Sequence, residues 1–276
     1  MAADMPLLEH REGRVLRLVL NRPDRLNALT PELHDQLLHA LEAAAGDESV
    51  GAVVLTGSGR GFCAGGDVGG GKKPSTDAAQ KPRSGGGMEK HADRLRHHGR
   101  SAQLLHTMPK PTIAAVNGIA AGAGMALALA CDFRIASADA AFRASYRNIA
   151  LSGDLGISYF LHHLVGPTKA RELMLFDRKI DAAEAQRIGL VGTLAEPAAF
   201  EAEVARLAAE LAAGPPIAQR HIKRNLVLAA YSSLDQVIDA EAYAMARCAR
   251  TGEAKEAIAA FREKRTPDYF RNDDAG

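Results

Sequence analysis

The stretch 112–131, TIAAVNGIAAGAGMALALAC, carries no charge, and Asp132 and Arg134 follow it at once. Thr112–Val116 is a short apolar run with β-branched members, which predicts a buried strand. Asn117-Gly118 breaks the run. Gly122-Ala123-Gly124 comes next, and residues 125–130 predict a buried helix. Strand, glycine turn and helix N-terminus in that order aim backbone N–H groups at one spot. Glycine and alanine there let a ligand oxygen approach the backbone closely. The turn is therefore a candidate donor of an oxyanion hole. A membrane span competes with this reading, because Gly118 and Gly122 make a GxxxG. The run is only just long enough to span, is rich in alanine and glycine rather than leucine, and is interrupted at Asn117-Gly118.

A chain of 276 residues can bury a sizeable core. Its 47% apolar and 24% charged fractions are those of a soluble protein. A net charge of +1 gives no reason to expect nucleic acid or a membrane surface as partner. Cys63, Cys131 and Cys248 are scattered without a CxxC, so neither a disulfide framework nor a zinc cluster is indicated. A reducing, cytoplasmic location fits best. Glu9, Arg11 and Glu12 come early and no apolar core of a signal peptide is evident. His97-His98 and His162-His163 are adjacent pairs that point in different directions, and HExxH is absent, so no metal is expected.

Residues 15–21 alternate as a strand does, and Arg22-Pro23-Asp24 turns it. Thr30-Pro31 starts a helix whose buried face is Leu33, Leu37, Leu38 and Leu41. Residues 51–56 form a second buried strand that runs into another glycine turn, GSGRGFCAGGD at 57–67. The low-complexity segment 68–87 reads as a mobile insertion or lid. A helix over 88–107 follows, then strands at 133–137 and 141–142. Asp154 opens a helix that Gly166-Pro167 interrupts. Asp181, Ser233 and Thr251 each begin another. The chain thus divides into an α/β part, 1–200, and a helical part, 201–276. Two glycine turns after two apolar strands offer a pair of N–H donors, which is what a reaction through an enolate or tetrahedral oxyanion requires.

Several segments, in order along most of the chain, resemble the crotonase, or enoyl-CoA hydratase/isomerase, superfamily. They are NRPDRLNALT at 21–30, VVLTGSGRGFCAGGD at 53–67, PKPTIAAVNGIAAGAG at 109–124, ACDFRIASADAAF at 130–142, AQRIGLV at 185–191 and FREKRTPDYF at 261–270. The resemblance implies a spiral of ββα units with a C-terminal helical trimerisation region. It also implies an acyl-CoA substrate bound by a homotrimer or a dimer of trimers, with no cofactor beyond the coenzyme A of the thioester. It places Gly66 and Ala123 at the two oxyanion-hole positions. Ala64 and Asp67 fall where the backbone wraps adenine, and Arg22 and Arg25 where basic residues approach CoA phosphates. Phe261 and Lys264 fall where the C-terminus meets the CoA of a neighbouring subunit.

The departures are informative. The two glutamates of the family's hydratases are replaced by Ala126 and Tyr146. One acid remains nearby, Asp154, where dienoyl-CoA isomerases and a dehalogenase branch carry a working aspartate. A single carboxylate suits double-bond isomerisation, because it can take a proton from one carbon and return it to another. Hydration would need a helper, for which Tyr146 is the candidate. The competing reading of Asp154 is a helix N-cap, whose carboxylate would be a weak base. Tyr146 also reads as a packing or gating residue, and Cys63 as buried filler. Arg143 and Arg147 flank the region, either pairing Asp154, recognising a polar acyl group or lying in surface ion pairs. The readings that follow are an enoyl-CoA isomerase or atypical hydratase using Asp154, a thioester or ring-opening hydrolase on the same oxyanion hole, or a silent CoA-binding scaffold.

Overall fold

The computed structural model describes residues 5–67 and 87–270. In chain order the strands are β1 (Leu7–Glu12), β2 (Val15–Leu20), β3 (Ala52–Gly57), β4 (Gly61–Cys63), β5 (Thr112–Val116), β6 (Ile119–Ala121), β7 (Phe133–Ser137), β8 (Ala141–Arg143), β9 (Ile180–Asp181) and β10 (Thr193–Ala195). The helices are α1 (Pro31–Gly46), α2 (Gly87–Thr107), α3 (Ala123–Ala130), α4 (Ile157–Phe176), α5 (Ala182–Arg187), α6 (Phe200–Ala212), α7 (Pro216–Ala229), α8 (Leu234–Cys248) and α9 (Gly252–Glu263). The insertion read at 68–87 lies outside the described residues except for Gly87, which begins α2.

From β3 to β8 successive strands alternate between two sheets. One is ordered β1-β2-β3-β5-β7-β10 and the other β4-β6-β8-β9. Each pair β3/β4, β5/β6 and β7/β8 sends its first strand to the large sheet and its second to the small one before the chain enters a helix. This is the ββα unit expected from the resemblance. Within the large sheet only β1–β2 is antiparallel, and within the small sheet only β8–β9. Strand β3 and strand β5 are buried at every position, as parallel strands covered on both faces must be.

Local signals operate where they were read. Thr30 Oγ1 caps α1 through the Leu33 N–H, with Pro31 in the first turn, and Leu33, Leu37, Leu38 and Leu41 are buried. Asp181 caps α5, Ser233 and Gln236 form a reciprocal capping box on α8, and Thr251 caps α9. Gly166, at φ 75 and ψ 167, interrupts α4 before Pro167. Helix α6 lays Phe200, Val204 and Ala208 on Val54, Ile113 and Ile135 of the large sheet.

The uncharged stretch is a structural centre. All of α3 is buried. Asp132 Oδ2 accepts the N–H and hydroxyl of Thr112 and the ammonium of Lys223, at 2.8, 3.0 and 2.7 Å. Lys223 Nζ also donates to the carbonyls of Leu105 and Lys110, which ties α7 to the start of β5. Among the described residues no helix is long and apolar enough to cross a membrane.

Candidate active site

The two glycine turns leave β4 and β6, which are parallel neighbours. Their approach requires residues without side chains. A β-carbon on Gly124 would stand 2.3 Å from the Cys63 carbonyl oxygen, and one on Gly118 2.2 Å from that of Arg60. A β-carbon on Gly65 would lie 2.9 Å from the Ala121 oxygen and 3.5 Å from the Ala123 nitrogen. Gly65 has φ 97 and Gly122 φ 52, which glycine adopts without strain. Ala123 is the first residue of α3, so its N–H has no carbonyl one turn back to bind. Gly66 is exposed and borders open space.

Two asparagines hold the first turn. Asn27, fully buried at φ 58, donates to the carbonyls of Ser58 and Gly61 at 2.9 and 2.7 Å. Asn117 donates to the carbonyls of Gly57 and Gly59, both at 2.9 Å. Neither role was read from the sequence, where Asn27 passed as part of a motif and Asn117 as a chain break. Arg22 pairs with Asp67 at 2.8 Å and also donates to the Ala28 carbonyl. The Asp67 N–H donates to the Leu29 carbonyl at 2.9 Å, so this end of the turn is bolted down. Ala64 is half-buried and Arg25 exposed on the same rim. Cys63 is buried, its thiol donates to the Asn27 carbonyl, and burial pushes its pKa up to about 12. It is filler, not a nucleophile.

Beyond β8 the chain turns through Tyr146 and Asp154. Tyr146 Oη donates to Asp154 Oδ1 at 2.5 Å. Asp154 is not a helix cap. Helix α4 starts at Ile157 with Gly156 in the cap position, and among the described residues no side-chain cap bonds its N-terminus. Only the Asp154 carbonyl serves the turn, accepting from the Ile157 N–H. Gly153 and Gly156 on either side, together with Leu155 at φ 48, take left-handed backbone and delay the helix. Burial raises the Asp154 pKa above the usual carboxylate range, opposed by the Tyr146 hydroxyl and by His98. Burial, followed by the Asp154 charge, pushes the Tyr146 phenol well above its ordinary value, so it remains a donor.

Arg143 does not pair with Asp154. Its Nε lies 3.4 Å from Asp177 Oδ1, and Arg147 sits exposed in a 3-10 turn, Arg147–Ile149. His98, buried on α2, stacks on His34 of α1 with ring centroids 4.1 Å apart and planes 4° apart. Burial holds His34 down to about 4 and lowers His98 as well. Reading the histidines as unremarkable adjacent pairs missed this contact, which the spacing does not reveal.

Phe261 is 86% exposed on α9, and Lys264 closes that helix in left-handed backbone. Both lie at the opposite end of the chain from the glycine turns. A separate apolar cavity of about 420 Å³ lies between α4 and α7, lined by Tyr159, Phe160, Leu226 and Val227, and it includes none of the candidate residues. Among the described residues no cluster of three or more His, Cys, Asp or Glu side chains could hold a metal ion.

Comparison with known proteins agrees with this geometry. The enoyl-CoA hydratase/isomerase family profile matches residues 10–272. A 1,2-epoxyphenylacetyl-CoA isomerase of Escherichia coli is 33% identical over 263 residues, covering 95% of this chain and 97% of its own. A short-chain-enoyl-CoA hydratase of Clostridium acetobutylicum is 32% identical, covering 95% of this chain and 96% of its own. The crystal structure of an enoyl-CoA hydratase from Bacillus anthracis superposes with a TM-score of 0.86 at 30% identity, over 96% of this chain and 99% of that one. The chain has the crotonase fold and belongs to the enoyl-CoA hydratase/isomerase family.

Proposed function

We propose that the protein binds an unsaturated acyl-CoA and moves its double bond, with Asp154 as the single acid/base. The Gly66 and Ala123 N–H groups hold the thioester oxygen. This stabilises the enolate formed when Asp154 removes a proton from the acyl chain. The same carboxyl, now protonated, returns that proton to a different carbon, and the electron pair of the enolate re-forms the carbonyl. The reaction consumes nothing else. Tyr146 stays protonated and steadies the carboxylate by hydrogen bonding.

The observation that carries this reading is the Tyr146–Asp154 pair. A half-buried carboxylate with a raised pKa and no capping duty is a better base than the N-cap would have been. Ala126, buried behind the oxyanion turn, provides no second acid. The relatives bear names of an isomerase and of hydratases; the replacement of both hydratase glutamates favours isomerisation here.

For the CoA moiety, Ala64 and Asp67 are assigned to adenine and Arg25 to phosphate. Arg22 is assigned a supporting part through its bond to Asp67. Residues 201–276 are assigned to oligomerisation, with Phe261 and Lys264 reaching the CoA of a neighbour in a trimer or dimer of trimers. The exposed Leu226, Leu234, Tyr243, Met245 and Phe261 favour such an assembly.

The test is a mass-spectrometric screen of enoyl-, dienoyl- and ring-carboxyl-CoA thioesters with wild type and Asp154→Asn. A shifted double bond is expected, with a loss on the order of 10²–10⁴-fold in the variant. A hydroxyacyl product would indicate hydration and liberated CoA hydrolysis. Unchanged turnover by Asp154→Asn would remove Asp154 from the mechanism.

A further inference from the structure

The segment from Arg143 to Tyr146 connects the two halves of the site. At one end the Gly122 N–H of the oxyanion turn donates to the Arg143 carbonyl at 3.0 Å. At the other end Tyr146 holds Asp154. Between them Ser145 takes φ 62, a left-handed conformation unfavourable for a residue with a side chain. Such a conformation persists only where its surroundings impose it.

What imposes it is Asp177, more than thirty residues further on at the C-terminal end of α4. Asp177 is 2% exposed. Its Oδ1 accepts the Ser145 N–H at 2.6 Å and faces Arg143 Nε at 3.4 Å. Its carbonyl also accepts from Arg143 Nε, at 3.1 Å. Asp177 is itself left-handed, at φ 52, and its Oδ2 is buried with no hydrogen-bond partner among the described residues. A buried carboxylate with one oxygen unsatisfied is unfavourable for stability, so retaining it calls for a task.

We propose that Asp177 is a positioning residue for the Tyr146–Asp154 pair, its carboxylate clamping Ser145 so that the Tyr146 hydroxyl meets Asp154 beside the oxyanion turn. It acts through the backbone of Ser145 and touches neither Asp154 nor the substrate site. The kinetic part of this proposal rests on Asp154 as the acid/base; the positioning part does not.

The experiment follows the Asp154 carboxyl in the full-length protein by carbon-13 NMR of aspartate-labelled samples, the resonance being assigned by its loss in Asp154→Asn. The titratable groups acting on Asp154 are Tyr146 and His98. The first variant is Asp177→Gly, because glycine removes the carboxylate while favouring the left-handed backbone. Loosening the Tyr146 bond is expected to raise the Asp154 midpoint by roughly 0.5–1 pH unit. Loss of a nearby negative charge alone would lower it, so the direction discriminates. Asp177→Asn keeps an acceptor for the Ser145 N–H and is expected to produce no rise. Tyr146→Phe is expected to raise the midpoint, with Asp177→Gly adding nothing further on that background.

On whichever thioester the protein turns over, Asp177→Gly is expected to lower kcat on the order of 10-fold with KM unchanged, since a displaced acid/base weakens the chemical step rather than binding. An unmoved or lowered midpoint in folded Asp177→Gly overturns the proposal, as does an equal added shift on the Tyr146→Phe background. Asp177→Ser, too short to reach Ser145, has the same expected outcome, and loss of the native fold in both would make the residue merely structural. If Asp154→Asn keeps its turnover, the proposed function fails while the NMR shift still decides the clamp.

Discussion

The Tyr146 hydroxyl donates to Asp154 Oδ1 at 2.5 Å, and this bond opposes the burial that pushes the carboxyl pKa upward. Removing the hydroxyl leaves burial with less opposition. Tyr146→Phe is therefore expected to move the acid limb of the kcat/KM profile to higher pH. A base must be ionised to act, so the variant loses more activity on the acid limb of the profile than on its plateau. A pH–rate profile with a limb at the wild-type position would refute this.

The same raised pKa has a consequence for stability. A carboxyl that is harder to ionise folded than unfolded favours the native state while protonated, and that contribution disappears as pH rises through its folded pKa. Above that pKa wild-type Asp154 is a penalised charge. Asp154→Asn is expected to melt higher there, by roughly 1–3 °C. The difference should shrink as pH falls through the folded pKa of Asp154. Thermal melts across pH check this, and a variant that melts lower at every pH would contradict it.

The Ala123 N–H can be deleted with little other change. Ala123 is the first residue of α3, a position that accepts proline because its N–H has no intrahelical partner. Ala123→Pro is expected to fold and to lose on the order of 10²–10³-fold in kcat, the usual effect of removing one oxyanion donor. Circular dichroism with steady-state kinetics separates the two effects, and a native-rate variant would disprove the donor assignment.

Lys223 binds two carbonyls and Asp132 in a mostly buried setting, where its pKa is lowered by burial. Lys223→Met takes the ammonium from all three acceptors, leaving the Asp132 carboxylate with its Thr112 donors but no counter-charge from Lys223, and is expected to destabilise by about 2–4 kcal/mol. Asp132→Asn added to it should change little more. Urea midpoints of the single and double variants measure the coupling.

The apolar side chains standing out from α7 and α8 include Leu226, Leu234, Tyr243 and Met245. Sedimentation equilibrium is expected to give three subunits or a multiple of three. Tyr243→Glu with Met245→Glu is expected to lower that mass. A wild-type protein that sediments as a monomer at micromolar concentration would exclude the assembly.

Much of the fold was legible because its signals are local. Thr30-Pro31, Asp181, Ser233 and Thr251 each act on groups within a turn of themselves, and strands β3 and β5 are continuous apolar runs. Strands β1, β4, β6, β9 and β10 went unread; β4, β6, β9 and β10 are two or three residues long and defined only by neighbours far away in sequence, and the exposed edge strand β1 shows no apolar alternation. The position of Asp154 outside α4 escaped for a similar reason. An aspartate before an apolar helix looks like a cap, and only the left-handed Leu155 and Gly156 show that it is not. Asp177 and the His34–His98 stack join elements remote in the chain, and neither composition nor spacing signals them.

The adjacency of β4 and β6 also sets when the protein becomes competent. Gly66 and Ala123 are about sixty residues apart in the chain and meet through the parallel pairs β3–β5 and β4–β6, so no hairpin or helix forming alone contains half-working chemistry. Closing so long a loop is entropically unfavourable and slow compared with forming α1 or α8. During refolding, helical signal should therefore return before the ability to polarise a thioester. A nascent chain released before β6 emerges would hold the substrate-facing glycines of the first turn and nothing for them to act with.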